Sequence, residues 1–250
     1  MLKKYIKKIL NKLGIEVRIK PKFGKVLNFD DIYKSKINKK NEIIFDVGAN
    51  RGQSINRFLE INKHLIIHAF EPNPVEYQFT KEKFSEYKNI FLNNIGISEK
   101  KEKMDLNVTI NSGNSSFYKI KKNTEWIKIR SNQFNTNQDN FVKEIIKVNC
   151  DTLDNYCSLN KIDQISLLKI DTQGFEDKVL NGAKNLIQNK IVKFIELEVM
   201  LDEVYDKTMT FHEIETQLRN NYKLYGIDYQ GFKNLSEGYM FAVDVLYIRK

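Results

Sequence analysis

Short apolar segments rich in Ile and Phe alternate with amphipathic segments along most of the chain. An apolar run of four to eight residues is typical of a strand buried on both faces, as in a parallel sheet. Apolar residues three or four positions apart are typical of the helices that connect such strands. The runs predict seven strands at 42–47, 65–70, 89–94, 165–170, 192–197, 223–227 and 241–248. The connecting helices are expected at about 52–61, 74–87, 175–188 and 210–220.

This alternation predicts an α/β fold with a doubly wound, mostly parallel seven-stranded sheet. The last two strands are joined by DYQGFKNLSEG, which has no helical pattern, so we expect the final strand to be antiparallel to its neighbours. We assign residues 41–250 to one domain and residues 1–40 to an N-terminal basic helical appendage.

The first 14 residues, MLKKYIKKILNKLG, predict a basic amphipathic helix that ends at Gly14. Its Ile and Leu residues fall on one face and its lysines mostly on the other. Such a helix can dock on its own domain or on a second subunit of an oligomer, and it can also lie on an anionic membrane. We favour docking and keep peripheral membrane contact through residues 1–14 as the alternative.

Residues 103–150 interrupt the alternation with a polar, Asn-rich sequence. A connection of this length is uncommon in a compact domain, so we expect an insertion that adds one or two strands and a loop over the site. A disordered linker is the alternative, and the aromatic residues Trp126 and Phe141 count against it.

The chain is basic, with 41 Lys+Arg against 32 Asp+Glu and a net charge of +9. Such a charge attracts anions, but lysine is spread over the whole chain and arginine is scarce, so we expect no nucleic-acid partner. No segment reaches the roughly 18 apolar residues of a membrane span, and the N-terminus does not match a signal peptide. Cys150 and Cys157 have no disulfide or zinc spacing. We expect a cytoplasmic protein and assign the cysteines no role.

A glycine-containing turn, DVGANRG at 46–52, joins the first strand to the first helix. In a doubly wound sheet this turn is where a ligand binds. Gly48 lets the backbone approach a ligand, and Gly52 lets the helix and strand pack closely. The second strand ends at Glu71, whose carboxylate can accept hydrogen bonds from both ribose hydroxyls.

The glycine spacing discriminates between nucleotide ligands. A dinucleotide site uses G-x-G-x-x-G to bind a pyrophosphate, whereas this turn is D-x-G-x-x-x-G with Asn50, and no Walker motif is present. A nucleoside cofactor without a phosphate fits better, and S-adenosylmethionine is such a molecule. Asp46 would then help to hold its amino group or orient the loop, and Glu71 would bind the ribose. A purely structural turn followed by an exposed Glu is the alternative.

A second candidate group follows the fourth strand, in the sequence DTQGFED at 171–177. The first and fourth strands are adjacent in the usual order of this fold, so Asp171 should face the Gly48 turn. There its carboxylate can take the proton of an attacking hydroxyl, or bind a divalent cation such as Mg²⁺ that lowers the pKa of the hydroxyl. The alternative is that Asp171 only caps the following helix or turn.

Three further side chains are candidates near the same edge of the sheet. Glu196 and Glu198 lie on one face at the end of the next strand, and we expect one of them in the cleft, with Glu198 as the catalytic candidate. His212 opens a late helix where substrate loops often lie, so it is also a catalytic candidate. His68 and His64 are expected in the core and at the surface.

Together these motifs resemble the FkbM family of S-adenosylmethionine-dependent methyltransferases over residues 41–249. The resemblance is carried by FDVGANRG (45–52), AFEPNP (69–74), NNIGIS (93–98), VNCDTLDNYC (148–157), LLKIDTQGFEDKVLNGA (167–183), FIELE (194–198) and VDVLYIR (243–249). It implies a class I methyltransferase fold, which is Rossmann-like, and O-methylation of sugars or secondary metabolites.

The resemblance also implies roles for individual residues. Asp46, Gly48, Asn50 and Gly52 would form the cofactor loop, Glu71 would bind the ribose, Asn94 and Ile95 would flank the adenine, and Asp171 would lie at the reactive centre. The family usually has Glu where this chain has Gln173. Glutamine keeps the hydrogen bonding but lacks the charge of an anionic metal ligand.

The expected function is therefore transfer of a methyl group from S-adenosylmethionine to a hydroxyl of a sugar or nucleotide-sugar in surface glycan biosynthesis. Asp171, with or without Mg²⁺, would activate the hydroxyl, and the segments 103–150 and 228–240 would shape the acceptor pocket. Alternative acceptors are a small secondary metabolite, a lipid or a protein side chain. An alternative of another class is a non-catalytic module that its basic helix recruits to a membrane-bound glycan-assembly complex.

Overall fold

The computed structural model describes residues 28–228 and 241–250. The basic helix predicted at 1–14 and nearly all of the 228–240 connection lie outside these residues. The strands are β1 (Ile43–Val47), β2 (Ile66–Phe70), β3 (Ile90–Asn93), β4 (Gly96–Ile97), β5 (Glu102–Thr109), β6 (Val142–Asp151), β7 (Ile165–Ile170), β8 (Val192–Met200), β9 (Tyr222–Asp228) and β10 (Ala242–Arg249). The helices are α1 (Phe29–Lys36), α2 (Gln53–Ile61), α3 (Pro74–Lys83), α4 (Glu125–Gln133), α5 (Leu153–Asn160), α6 (Glu176–Gly182), α7 (Lys184–Gln188) and α8 (Phe211–Leu218).

The main sheet has seven strands in the order β3-β2-β1-β7-β8-β10-β9. The pairs β3-β2, β2-β1, β1-β7 and β7-β8 are parallel, whereas β10 is antiparallel to both β8 and β9. The strand order reverses between β1 and β7, and a doubly wound sheet binds its ligand at such a point. The seven predicted strands and the antiparallel final strand are confirmed.

The central strands are apolar on both faces because both faces are covered. In β1 and β7 almost every residue is buried, and one core lies on each side of the sheet. Phe45, Leu168 and Val179 belong to one core, and Ile44, Phe58 and Leu167 belong to the other. This double burial explains why the sequence shows continuous apolar runs rather than alternation.

Some predicted helices differ from those in the structure. The helix expected at 74–87 ends at Lys83, and the one expected at 175–188 is divided into α6 and α7 at Ala183. A Cβ atom on Gly182 would lie 2.0 Å from the backbone oxygen of Ser98, so close packing at this point requires glycine. Helices α4 and α5 were not predicted.

The insertion is ordered, so the alternative of a disordered linker is wrong. Its two long strands, β5 and β6, pair in antiparallel register, and β4 adds to them in a second, three-stranded sheet. Helix α4 packs through Trp126 and Ile127 against Phe141 and Tyr205 in a separate apolar cluster. The insertion thus adds strands, as expected, together with a helix that its polar sequence did not indicate.

Helix α1 packs against the main sheet through a buried polar cluster. The Tyr33 hydroxyl donates to Glu196, and Arg57 forms a bidentate pair with the same carboxylate, the shorter contact being 2.7 Å. Asp30 accepts a further bond from Arg57 at 2.7 Å. Glu196 therefore belongs to the packing of α1 and α2. None of the helices in the described part of the chain has the length and apolar character of a membrane span.

Candidate active site

A cleft of about 310 Å³ opens at the carboxyl ends of β1, β2 and β7. It lies at the reversal point of the sheet, and the insertion supplies part of its wall. The lining residues include Gly48, Asn50, Gln53, Glu71, Ile95, Ile97, Ser112, Ser116, Phe117, Asp171 and Gln173. The lining combines apolar side chains with carboxylate and amide groups, as in most small-molecule sites.

The Gly48 turn forms the floor of the cleft. Gly48 has φ +88°, and a Cβ atom there would lie 1.9 Å from the backbone oxygen of Asp171. The Asp171 N–H donates to the Val47 oxygen at 3.0 Å, which joins the ends of β1 and β7. This contact confirms the prediction that Asp171 faces the Gly48 turn. Asn50 also has a left-handed conformation, with φ +46°, and its oxygen accepts the Thr80 hydroxyl at 2.6 Å.

Glu71 is held by two backbone N–H groups, one on each carboxylate oxygen. Asn50 N donates to Oε2 at 2.7 Å, and Asn73 N donates to Oε1 at 2.8 Å. Burial raises the pKa of Glu71 to about 7, although both backbone bonds favour the charged form. Each oxygen keeps a lone pair that can accept a bond from a ribose hydroxyl. The geometry is therefore that of a fixed acceptor pair.

Asp46 lies fully buried beneath the Gly48 turn and is not among the cleft-lining residues. Within the described part of the chain, neither of its carboxylate oxygens has a hydrogen-bond partner, and the Lys169 ammonium lies 3.9 Å away. Burial raises its pKa to about 6, and Lys169 acts in the opposite direction. Its predicted contact with the cofactor amino group stays a prediction, as does its role in orienting the loop.

Asp171 is the carboxylate that reaches the cleft from β7, and its side chain is 38% exposed. Lys169 Nζ donates to Oδ2 at 3.1 Å, and Gln173 Nε2 donates to Oδ1 at 3.0 Å. Burial opposes ionisation, but the Lys169 charge and these two hydrogen bonds outweigh it and lower the pKa of Asp171. Asp171 is therefore a carboxylate at neutral pH, with free lone pairs on the cleft side.

Gln173 connects Asp171 to groups from three other segments. Its Nε2 also donates to Glu198 Oε2 at 2.7 Å, and its Oε1 accepts from the Tyr205 hydroxyl at 3.1 Å and Asn114 Nδ2 at 3.4 Å. Burial raises the pKa of Glu198 well above its ordinary value, and the Asp171 charge raises it further. Of the two glutamates on β8, Glu198 is thus the one that contacts the Asp171–Gln173 group, but it does not line the cleft itself, and its catalytic role stays a prediction.

A short loop of the insertion, Ser112–Asn114, covers the cleft. The Ser112 hydroxyl donates to Asn50 Oδ1 at 3.2 Å, and Asn114 contacts Gln173 and also accepts the Tyr205 hydroxyl through its backbone oxygen at 3.3 Å. The loop therefore touches the cofactor turn on one side and the carboxylates on the other. This position agrees with the expected loop over the site.

The residues around Asp171 do not fit a divalent cation. Mg²⁺ is bound by oxygen ligands, whereas here an ammonium group and an amide N–H occupy the two carboxylate oxygens. Across 28–228 and 241–250, no group of three His, Cys, Asp or Glu side chains is arranged to hold a metal ion. The chemistry proposed below therefore uses no metal at Asp171.

Besides Asp46 and Glu198, three predicted site residues lie outside the cleft lining. Asn94 is exposed, and its amide donates to the backbone oxygens of Glu71 and Pro72 at 2.9 and 3.1 Å, so it supports the backbone that carries Glu71. Gly52 packs against Phe84, where a Cβ atom would lie 2.3 Å from the ring. His212 is exposed on α8 and does not line the cleft. Its catalytic role stays a prediction without a contact that supports it.

The remaining residues singled out in the sequence are structural. His68 is buried between Tyr156, whose hydroxyl lies 2.8 Å from Nδ1, and the stacked ring of Phe91, and burial lowers its pKa to about 4. His64 is exposed. Both placements are confirmed. Cys150 and Cys157 are free and buried.

Several residues that line the cleft or contact its carboxylates were not predicted because their signal is weak in one sequence. Tyr205 lies in a segment without a clear pattern, and Lys169 reads only as a polar residue in a buried strand. The serines of NSGNSS were included in the insertion but not assigned to the cleft. A lysine inside a fully apolar strand was the one signal that could have been used, because a buried ammonium requires a carboxylate partner.

Comparisons with known proteins found a family and a relative that are similar to this chain. Residues 46–225 match the model of the methyltransferase FkbM domain. A 2-O-methyltransferase of Sinorhizobium fredii, NoeI, is 24% identical over 180 residues, which cover 72% of this chain and 72% of that protein.

Two solved structures are also similar. Aeropyrum pernix fibrillarin with bound S-adenosylmethionine is 12% identical, with a TM-score of 0.45 over 84% of this chain and 67% of that one. A TehB-like S-adenosylmethionine-dependent methyltransferase of Corynebacterium glutamicum is 7% identical, with a TM-score of 0.44 over 99% and 97%.

The family model covers most of the described chain, and the main sheet has the strand order and antiparallel final strand expected of a class I methyltransferase. The chain therefore belongs to the FkbM family of S-adenosylmethionine-dependent methyltransferases.

Proposed function

We propose that this methyltransferase transfers the methyl group to a hydroxyl of a sugar or nucleotide-sugar in surface glycan biosynthesis, with Asp171 as the base. The observation that carries the proposal is the ionised, partly exposed Asp171 carboxylate next to the Gly48 turn. The relative NoeI is by name a 2-O-methyltransferase, which supports oxygen as the acceptor atom.

The cleft residues fit S-adenosylmethionine. Glu71 offers two fixed acceptor oxygens for a ribose diol, and Ile95, Ile97 and Phe117 offer an apolar wall for the adenine. The absence of a side chain at Gly48 lets the turn pack against the end of β7, which brings Asp171 next to the turn.

When bound, the cofactor supplies a methyl group on a sulfonium, so that its carbon–sulfur bond breaks as the acceptor oxygen forms the new carbon–oxygen bond. Asp171 takes the proton that the hydroxyl loses. Because the pKa of Asp171 is low, its carboxylate does not deprotonate the free hydroxyl. It receives the proton as the new carbon–oxygen bond forms, because that bond makes the hydroxyl more acidic. A positioned base of this kind contributes about 10²–10⁴ in rate.

A second cavity of about 320 Å³ is the proposed acceptor site. Tyr205 lines it and also donates to Gln173, so the cavity adjoins the carboxylates of the first cleft. Its lining is mostly polar and of both charges, with Lys121, Asp206, Lys207, Thr208 and Thr210 among the members. Alternating donors and acceptors of this kind suit a ligand with many hydroxyl groups.

The experiment is a methyl-transfer assay with a panel of nucleotide sugars and free sugars, followed by mass spectrometry for a gain of about 14 daltons, the mass of a methyl group that replaces a proton. We expect a product from the native chain and a loss of at least about a hundredfold in rate for Asp171→Asn. Methylation of only a lipid, a peptide or a small aromatic metabolite would contradict the sugar acceptor. Calorimetry that detects no cofactor binding to folded protein would favour the non-catalytic module instead.

We also propose a cytoplasmic location, with peripheral membrane contact through residues 1–14. The +9 net charge of the chain supports attraction to an anionic surface. Liposome binding with and without residues 1–14 tests this contact, since equal binding of the two forms would contradict it.

A further inference from the structure

Two carboxylates and one amide meet at the reactive edge of the sheet. Asp171 Oδ1 and Glu198 Oε2 both lie within hydrogen-bond distance of Gln173 Nε2, at 3.0 and 2.7 Å. Two carboxylates that approach one point repel each other unless a cation, a proton or a donor lies between them. The Gln173 amide has two N–H groups, which is the number required here.

The other side of the amide fixes its orientation. Asn114 Nδ2 donates to Oε1 at 3.4 Å, and the Tyr205 hydroxyl shares its one proton between Oε1 and the Asn114 backbone oxygen, at 3.1 and 3.3 Å. A rotated amide would place its oxygen against two carboxylates and an N–H group against the Asn114 amide. Gln173 itself has a left-handed backbone, with φ +55°, which few side chains adopt without supporting contacts. These contacts favour the arrangement in which Nε2 faces the two carboxylates.

We propose that Gln173 is a positioning residue whose amide, anchored by the Tyr205 hydroxyl, joins Asp171 and Glu198 into one proton-accepting pair in place of a cation. In this pair Asp171 faces the cleft, and Glu198 is the buried partner. Gln173 keeps the Asp171 lone pair directed at the acceptor hydroxyl. This catalytic role of Gln173 rests on the proposed function. The contact of the Gln173 amide with both Asp171 and Glu198, called the bridge below, does not.

Other charged groups also face the pair and enter its titration. Lys169 is the nearest cation, and its ammonium contacts Asp171 from within β7. The remaining groups are Asp46 on β1, Glu176 on α6, Asp244 on β10 and Arg130 on α4. These groups are the same in the native chain and in the variants at position 173. A difference in pH dependence or metal affinity between those forms is therefore caused by the residue at position 173.

Gln173→Glu and Gln173→Met form a matched pair of variants. Both keep the length of the side chain, but the first replaces the N–H donors with a carboxylate oxygen, and the second removes all polar atoms. With Glu at 173, three carboxylates converge, so we expect Mn²⁺ affinity, measured by electron paramagnetic resonance, at least about tenfold above that of the native chain. Gln173→Met should show no gain.

The pH profile of kcat supplies a second readout. A third carboxylate raises the pKa values of its neighbours, so we expect the acidic limb of Gln173→Glu to move upward by at least about one pH unit. Tyr205→Phe should lower kcat about three- to tenfold at unchanged KM for the cofactor, because the ring stays in place and one bond to the amide is lost. Tyr118→Phe, which removes a hydroxyl bound to Asp177, is the matched control and should leave kcat unchanged.

The bridge is overturned if Gln173→Glu gains no Mn²⁺ affinity, if Gln173→Met gains as much, or if the acidic limb stays in place. If Gln173→Glu does not fold, an unchanged kcat in Tyr205→Phe overturns the anchoring role. Mn²⁺ binding requires no turnover, so it separates a wrong bridge from a wrong acceptor. A native chain that methylates no sugar, combined with the expected Mn²⁺ gain, would contradict the proposed function and support the bridge.

Discussion

The two halves of the cleft are built in different ways. The half that we propose binds the cofactor, called the cofactor half, consists of the Gly48 turn and Glu71, and it is held mainly by backbone groups of residues that follow β1 and β2. The half that we propose carries the chemistry, called the reactive half, consists of Asp171, Gln173, Glu198 and Tyr205, and it is held by side chains from separate segments. The first half is held in place by hydrogen bonds to backbone groups. The second depends on each member of a side-chain network.

This difference suggests which changes each half tolerates. A backbone cradle accepts one class of ligand and loses binding when its shape changes. In a side-chain network, one residue can be substituted without unfolding the protein, so the chemistry of the site can change while the fold stays the same. Cofactor affinity should therefore respond to the first half and turnover to the second.

The largest effect is expected for Gly48→Ala, which damages both halves together. The new Cβ atom would overlap the Asp171 oxygen, and the φ of +88° is unfavourable for alanine. We expect a loss of at least about 3 kcal/mol in the free energy of unfolding, together with loss of measurable cofactor binding. Denaturant unfolding and calorimetry measure these two quantities.

Gly113→Ala is the matched control for that loss. Gly113 lies in the loop over the cleft, and a Cβ atom there would meet its nearest heavy atom at 3.4 Å. Its free energy of unfolding should stay within about 0.5 kcal/mol of the native value. Equal destabilisation by the two substitutions would show that the Gly48 contact is not special.

Asp171→Asn should affect the reactive half alone. The amide cannot take the hydroxyl proton, so kcat should fall about 10²–10⁴-fold while the dissociation constant of the cofactor changes less than about threefold. Asp105→Asn, at an exposed carboxylate paired with Lys147, is the control and should retain full turnover. Turnover that survives in Asp171→Asn would remove Asp171 from the chemistry.

Glu71→Gln should affect the cofactor half alone. Replacement of the carboxylate removes charge-assisted bonds to the ribose and places an N–H against a backbone donor, so affinity should fall about 10- to 100-fold. Glu82→Gln, at an exposed position on α3, is the control. Unchanged affinity in Glu71→Gln would contradict the ribose assignment.

The raised pKa of Glu71 gives that affinity a pH dependence. The ribose hydroxyls donate to the ionised form, which is lost as the pH falls through about 7. Affinity should therefore rise with pH, and the native chain should bind the cofactor about tenfold more weakly at pH 6 than on the plateau above pH 8. In Glu71→Gln this slope should disappear, and a slope that persists would assign it to another group.

The smallest effect is expected for Ser112→Ala, which loosens the loop that touches both halves. One hydroxyl bond to Asn50 is lost, so cofactor affinity should fall about two- to tenfold with kcat nearly unchanged. Ser158→Ala, at an exposed position, is the control. A larger fall in kcat than in affinity would place Ser112 in the reactive half.

The placement of the Gly48 turn and Glu71 could be predicted from the sequence because its determinants are local. A buried strand, a glycine turn and an acidic residue at the next strand end occur in chain order, and the parallel register brings Asp46 and Ala69 side by side. The same logic placed Asp171 next to Gly48. The burial of Asp46 beneath the turn was harder to predict, since it depends on tertiary packing that the pattern of apolar residues does not show.

The reactive half was only partly predictable. Its contact between Gln173 and Tyr205 joins positions 32 residues apart, and the one with Asn114 spans 59. Such contacts depend on how the insertion folds back onto the sheet, and helix α4 within that insertion has no strong apolar stripe. The pattern of a single chain therefore identified the carboxylates but not the amide and hydroxyl that connect them.

The division between the halves is tested most directly by single-turnover methyl transfer at saturating cofactor, with Glu71→Gln and Asp171→Asn compared side by side on the acceptor found in the panel. We predict a near-native rate for Glu71→Gln once the cofactor is saturating, and a rate at least about a hundredfold lower for Asp171→Asn at native cofactor affinity. Loss of rate in both variants, or loss of cofactor affinity in Asp171→Asn that matches its loss of rate, would contradict the division.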